Sequence, residues 1–266
     1  MKPVKIIHGT GPIVLGMPHV GTFLPDEIHE HLNANGRKLA DTDWHIERLF
    51  DGLLKGVSSV QATFHRYAID ANRDPMGESL YPGQNTTSLV PLSDFDGVDI
   101  WETMPTSDGI EQRLRLFHAP YHAALKSELG RVRDLHGIAI LFDCHSIRSQ
   151  IPFLFEGILP DLNIGTNNGT TCAPCIERVI FDTAKNADGF SAVLNDRFKG
   201  GWTTRHYGQP TKGIHAIQLE IAQSTYLCAE AAPWDYDPVK ADKLRAHLKS
   251  MLTSLVDLAT TLGDSK

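Results

Sequence analysis

Short apolar runs recur along this chain at residues 13–17, 60–69, 137–143, 192–194 and 215–221, and amphipathic segments lie between them. Runs of this length read as buried strands, whereas the intervening apolar positions at 43–54, 110–135, 176–187 and 241–262 follow helical spacing. The 110–135 helix carries Pro120 as a point of interruption. Strands alternating with helices predict an α/β fold in which one sheet is covered on both faces. In such sheets ligands gather at the carboxyl ends of the strands. His19, Asn72, Arg73, His145 and Glu220 all fall at or near such ends.

Residues 74–108 are rich in Gly, Pro, Ser, Thr and Asp and lack periodicity, which predicts a long surface loop or lid. Residues 151–170 read as irregular. There is no internal repeat and no glycine-rich phosphate loop. The 266 residues suit one domain spanning 1–266. A formal charge of -7 argues against nucleic-acid or anionic-membrane partners, both of which require a basic surface. No apolar run is long enough to span a bilayer, and the N-terminus lacks a secretory pattern, so a cytoplasmic protein is expected. Four cysteines make no disulfide framework. The CxxC spacing of Cys172 and Cys175 follows a Gly/Asn/Thr-rich loop and has no second metal-binding pair, so it reads as incidental.

A hydrolytic zinc site needs three protein ligands and an open position. His19 and His145, each just beyond an apolar strand, are the leading nitrogen ligands among 13 histidines. Asp143 stands two residues before His145, where it orients that ring or simply ends the strand. His118 and His122 are spaced i, i+4, but Pro120 between them and the lack of a glutamate argue against a zincin helix. For the acidic ligand Asp41, Asp43 and Glu47 are the candidates. Asp43 is chosen, with a helix N-cap as its alternative role. Glu220 lies in an otherwise apolar strand, where an ionised carboxylate is costly unless paired or functional. That makes it the candidate general base, unless two-residue alternation turns Gln218 and Glu220 to solvent. Arg66, Arg73, Arg148 and Arg205 lie near strand ends and suit bidentate recognition of a carboxylate substrate.

Five ordered blocks carry a family resemblance: MPHVGTFLP, DTDWHIERLF, FDCHSIRSQIPFLFEGILPDLNIGTNNG, NDRFKGGWTTRHYGQP and HAIQLEIAQSTY. Over about residues 10–230 the chain resembles bacterial N-formylglutamate deformylases of histidine degradation, a family distantly similar to zinc carboxypeptidases and aspartoacylase. The resemblance implies a central mixed sheet of zinc-carboxypeptidase-like (phosphorylase/hydrolase-like) type and release of formate from N-formyl-L-glutamate. It implies Zn²⁺ or another divalent transition metal on His19, Asp43 and His145. Glu220 becomes the base, Arg73 an oxyanion donor, and Asn72, Arg66, Arg148 and Arg205 the substrate contacts. Thr22 replaces the glutamate of the aspartoacylase-like HxxE pattern, so the acidic ligand comes from farther along the chain. The readings that compete are a deacylase of another N-acyl acidic amino acid, a non-catalytic binder of an acidic ligand, and a CxxC redox protein.

Overall fold

The computed structural model describes residues 1–78 and 85–263. Its seven strands are β1 (Val4–Ile7), β2 (Ile13–Met17), β3 (Ser58–Ala62), β4 (Ala139–Ile147), β5 (Leu162–Gly165), β6 (Ala192–Leu194) and β7 (Ile214–Ala222). They form one sheet in the order β1-β3-β2-β4-β7-β5-β6. The central strands β3, β2, β4 and β7 are parallel, β1 is antiparallel to β3, and β5 is antiparallel to β7 and parallel to β6. The sheet is therefore mixed, with its buried parallel strands in the middle.

The helices are α1 (Asp26–His29), α2 (Ile46–Phe50), α3 (Ser107–Arg113), α4 (Ala119–His136), α5 (Pro174–Lys185), α6 (Trp202–Tyr207) and α7 (Pro238–Gly263). Strand alternation sorts the side chains between two cores. Leu15, Phe142 and Leu219 pack with Leu49 of α2, Ile180 of α5 and Leu248 of α7. On the opposite face Val14, Leu141 and Ala216 pack with Leu125 and Leu129 of α4.

The α4 face changes character along its length. On β4 it runs Ala139, Leu141, Asp143, His145, and on β7 it runs Ala216, Gln218, Glu220, because alternate residues share a face. Register sets Asp143 beside Gln218 and His145 beside Glu220. The apolar half is covered by α4, while α6 approaches the polar half, where Thr204 donates to Asp143. After β2 the chain crosses to β3 on one side, and β4 lies on the other. The carboxyl ends of β2 and β4 thus flank a topological switch point, where a crevice opens in this class of sheet.

Several elements depart from the sequence expectation. Helix α2 is confined to five residues because His45 before it and Gly52 after it take positive φ. Strand β3 ends at Ala62 rather than at residue 69, and the chain then turns through His65 to Arg73. Strands β4 and β7 run beyond the expected limits, so His145 stands inside its strand. β1, β5 and α6 carry no periodic signal long enough to be recognised. The 110–135 helix continues through Pro120 by a π-turn over Leu114–His118. Within 74–108 the described part is loop up to α3, and Val90, Phe95, Ile100 and Trp101 anchor it in the core. Residues 79–84 of that predicted lid lie outside the described residues.

Candidate metal centre and substrate cavity

Three elements bring His19, Asp43 and His145 together. His19 follows β2 by two residues, His145 is on β4, and the Asp43 segment is tied to the His19 loop by a backbone bond from Asp43 N to His19 O of 3.1 Å. Asp43 does not cap α2, whose first residue is preceded by His45 in the left-handed region. One ligand atom from each of the three residues falls within 4.8 Å of the others, and all three residues are buried. Asp43 Oδ2 lies 3.1 Å from His145 Nδ1 and 3.6 Å from His19 Nδ1.

The outer nitrogens are committed elsewhere. His19 Nε2 donates to Asp70 Oδ1 at 2.7 Å, and His145 Nε2 lies 3.2 Å from Asp143 Oδ1. A carboxylate behind each imidazole fixes its orientation and leaves Nδ1 facing inward, the arrangement found around metal-ligating histidines. His19 Nδ1 is buried and has no hydrogen-bond partner among the described residues. That orphaned atom, with the His, Asp, His donor set, fits a divalent transition metal.

Charge at the centre is organised by burial and neighbours. Burial pushes Asp43 up, but the two histidines outweigh it and hold the carboxyl well below its usual range. Asp70 is likewise held down against burial, first by Arg66 and then by His19 and Arg73. Burial opposes charge on His145, yet Asp143 and Asp43 hold its proton well above the ordinary range. A site that retains a proton between buried carboxylates is one that favours a cation. Glu220 differs, because burial raises it to about 8 against the pull of His145. Gln218 Nε2 donates to Glu220 Oε2 at 3.1 Å, and Gln218 Oε1 accepts from Gly201 N at 2.7 Å. Both side chains are buried, so the solvent-facing reading of Gln218 and Glu220 fails. Alternation does put them on one face, but α6 and its approach loop cover it.

The cavity at this centre is lined by His19, Asp43, His145, Glu220, Gln218, Arg66, Asn72 and Arg73, with Phe95, Leu154 and Phe198 as an apolar wall. Arg66 is buried, donates to Asp70 Oδ2 at 2.6 Å, and lies over the Phe95 ring at 4.8 Å. Asn72 is gripped from both sides. Its Oδ1 accepts from Thr203 N at 2.9 Å, and its Nδ2 lies 3.3 Å from His145 Nε2. Arg73 donates from Nε and Nη2 to Thr87, at 2.8 and 2.7 Å. The loop after residue 84 therefore contributes to the cavity through Asn85, Thr86 and Thr87.

Two expected substrate arginines lie elsewhere. Arg148 pairs with Asp96 at 2.7 Å, Arg205 donates to Gly200 O at 2.8 Å, and neither lines the cavity. Sequence reasoning missed Arg197, which does line it and donates to Leu154 O at 3.2 Å. Arg197 sits in the NDRFKGGWTTRHYGQP block, eight residues before Arg205, so the block was visible but the choice within it was not. Asp41 and Glu47 are absent from the metal cluster. Asp41 instead accepts from Tyr67 Oη at 2.8 Å and from Phe95 N, and burial raises it to about 7. Cys172 and Cys175 are both free thiols, and neither lines this cavity.

The N-formylglutamate amidohydrolase family model matches residues 11–227. N-formylglutamate deformylases of Pseudomonas putida and Pseudomonas aeruginosa are each 43% identical to this chain. The first similarity covers 96% of both chains, and the second covers 93% of this chain and 94% of the relative. The crystal structure of an N-formylglutamate amidohydrolase from Ralstonia eutropha covers 100% of both chains with a TM-score of 0.80 at 24% identity. A gene product of Agrobacterium tumefaciens has a TM-score of 0.74 at 16% identity, covering 97% of this chain and 96% of its own. At these identities the two structures establish a common fold.

Proposed function

We propose, from the premise that this chain belongs to the N-formylglutamate amidohydrolase family, that it hydrolyses N-formyl-L-glutamate to formate and L-glutamate. The observation that carries this reading is the meeting, in one cavity, of a His, Asp, His cluster, a buried glutamate and several arginines. We take residues 1–266 as one catalytic domain.

His19 Nδ1, the Asp43 carboxylate and His145 Nδ1 would hold the ion, zinc or another divalent transition metal. When bound, it supplies Lewis acidity that lowers the pKa of water and polarises the formyl carbonyl. Glu220 accepts a proton as the water oxygen bonds to the formyl carbon, then returns it to the amine nitrogen as the carbon–nitrogen bond breaks. The water oxygen leaves in formic acid, which gives up the second water proton to the released amine, so the products are formate and the ammonium form of glutamate. Arg73 is assigned to the negative charge that develops on the formyl oxygen. Arg66, Arg197 and Asn72 are assigned to the two carboxylates of glutamate, fixing the amide over the base. Arg148 pairs with Asp96, next in sequence to Phe95 of the cavity wall, and Arg205 donates to Gly200 O, next to Gly201 of the cavity lining.

The reaction suits the last step of histidine degradation in the cytoplasm, and a strain lacking the gene should accumulate N-formylglutamate when fed histidine. No helix among the described residues is long and apolar enough to cross a membrane. The biochemical test is formate release from N-formyl-L-glutamate by metal-stripped protein, with and without added Zn²⁺. N-acetyl-L-glutamate and N-formyl-L-aspartate serve as controls. Metal-restored release from the first substrate alone is expected. Activity on a control would move the substrate within the deacylases, and silence on all three would favour a binding protein.

A further inference from the structure

The His118 and His122 pair, set aside above as a zincin motif, meets the substrate cavity from behind. His118 Nε2 donates to Arg73 O at 3.1 Å, and His122 Nε2 donates to Ala71 O at 2.8 Å. The two bonds bracket Asn72, whose side chain is held separately by Thr203 N. Four residues of helix advance about 6 Å along the axis, which lets one helical face reach two carbonyls two residues apart.

The chain is locally rebuilt to present this pair. The π-turn over Leu114–His118 closes with Ala119 N bonded to Leu114 O, directly before Pro120. An inserted residue of this kind re-aims the side chains around it and recurs at functional sites. Trp202 packs at 5.7 Å from His118 and 4.8 Å from His122, measured between ring centres. Tyr207 Oη closes the far side of His122 at 3.1 Å from Nδ1. Burial lowers the basicity of both imidazoles, that of His122 to about 3. Each is therefore a neutral ring whose single proton is placed on Nε2 by its carbonyl partner.

We infer that His118 and His122 are positioning residues for Asn72 and Arg73, fixing the main chain on either side of Asn72 so that both side chains face substrate. This rests on the reading of Asn72 and Arg73 as substrate contacts. Neither histidine lines the cavity, so each would act through the 71–73 turn and not by touching substrate. A phenylalanine keeps the ring packing against Trp202 but leaves a carbonyl without its donor. A glutamine restores an N–H close to the position of Nε2.

The test compares His118→Phe and His122→Phe with His118→Gln and His122→Gln in the metal-loaded protein. Expected for the phenylalanine variants are unchanged metal content and a KM for N-formyl-L-glutamate raised about tenfold, because loosened substrate groups weaken binding. The glutamine variants should return KM to within about threefold of the parent. A wild-type KM in the phenylalanine variants would overturn the inference, as would glutamine variants as impaired as their phenylalanine counterparts. Hydrogen exchange of the 70–74 amides provides a readout independent of turnover. If the parent protein releases no formate, the reaction reading fails on its own. Faster exchange at 70–74 in the phenylalanine than in the glutamine variants would then still support the positioning role, and equal exchange would overturn it.

Discussion

At the scale of single residues, Glu220 carries the clearest prediction. Glu220→Gln keeps the volume and the hydrogen bond to Gln218 but removes the proton acceptor. Metal should still bind, and kcat should fall by roughly 10²–10⁴, the usual contribution of a general base. Unchanged turnover with full metal content would exclude the role. The raised pKa adds a stability signature in the metal-free protein. Below about pH 4.5 Glu220 is protonated whether folded or unfolded, and its burial carries no ionisation cost. Between that point and its folded value of about 8 the unfolded chain releases the proton first, so stability falls as pH rises. Metal-free Glu220→Gln should therefore melt higher than its parent at pH 8 and the same at pH 4. Gly201 supplies a steric counterpart, since a Cβ there would meet the Asn72 side chain at 2.3 Å. Gly201→Ala should displace Asn72 and raise KM while sparing metal content, as kinetics and metal analysis on one preparation would reveal. His19, His145 and Glu220 were legible in sequence because each is a polar residue within or close to an apolar run, whereas Asp43 stood there beside Asp41 and Glu47 as one of three candidate carboxylates. Arg197 was not, because nothing in its neighbourhood separates an arginine facing the cavity from one eight residues away that faces backbone.

At the scale of elements, strand cores were legible and their ends were not. Residues 13–17 and 192–194 match β2 and β6, because short apolar runs bounded by Pro12 and Pro18, or by Ser191 and Asn195, leave little freedom. β4 outran its apolar stretch, since Asp143 and His145 are strand residues whose burial is made tolerable by partners from α6, Asp43 and Asn72. A local pattern contains none of those partners. The same holds for α4, which Glu128 fastens to the sheet. Its carboxylate is bonded by His8 and Arg131, and Arg131 continues to Gly9 O and Ser58 Oγ at the start of β3. Burial would raise Glu128, but the hydrogen bonds from Arg131, Ser58 and His8 prevail and lower it to about 2. A depressed acid stabilises the fold above its unfolded value near 4.5 and loses that contribution as pH falls through about 2. The contribution is about 2 kcal/mol after allowance for the solvent exposure of His8 and Arg131. Glu128→Gln should be less stable than its parent at pH 6, and the two should converge toward pH 2 in denaturant titrations.

At the scale of the whole molecule, the His19, Asp43 and His145 cluster joins parts of the chain that share no local structure: the end of β2, the segment before α2, and β4. Without an ion, Asp43, Asp70, Asp143 and Glu220 stand close together, and Arg66, Arg73 and the histidine protons are among the described groups that offset their charge. A ligand that binds only the folded state stabilises it in proportion to RT ln(1 + [L]/Kd), about 4 kcal/mol at a thousandfold excess over Kd. Chelation should lower the melting temperature by several degrees, and Zn²⁺ should restore both melting temperature and activity. An unaltered melting curve after verified metal removal would argue against an ion at this centre. By itself the sequence determined the class of fold, because hydrophobic periodicity is a local property that each strand and helix carries within its own residues. It also determined the chemical types at the strand ends, and its ordered blocks pointed to the family. Tertiary structure alone decided which carboxylate joins the two histidines and which arginine reaches the cavity. It also gave the His118 and His122 pair its place behind Asn72. Those choices depend on register, on a left-handed turn at His45 and on a π-turn before Pro120, where residues distant in sequence supply the hydrogen-bond partners that make the local conformation affordable.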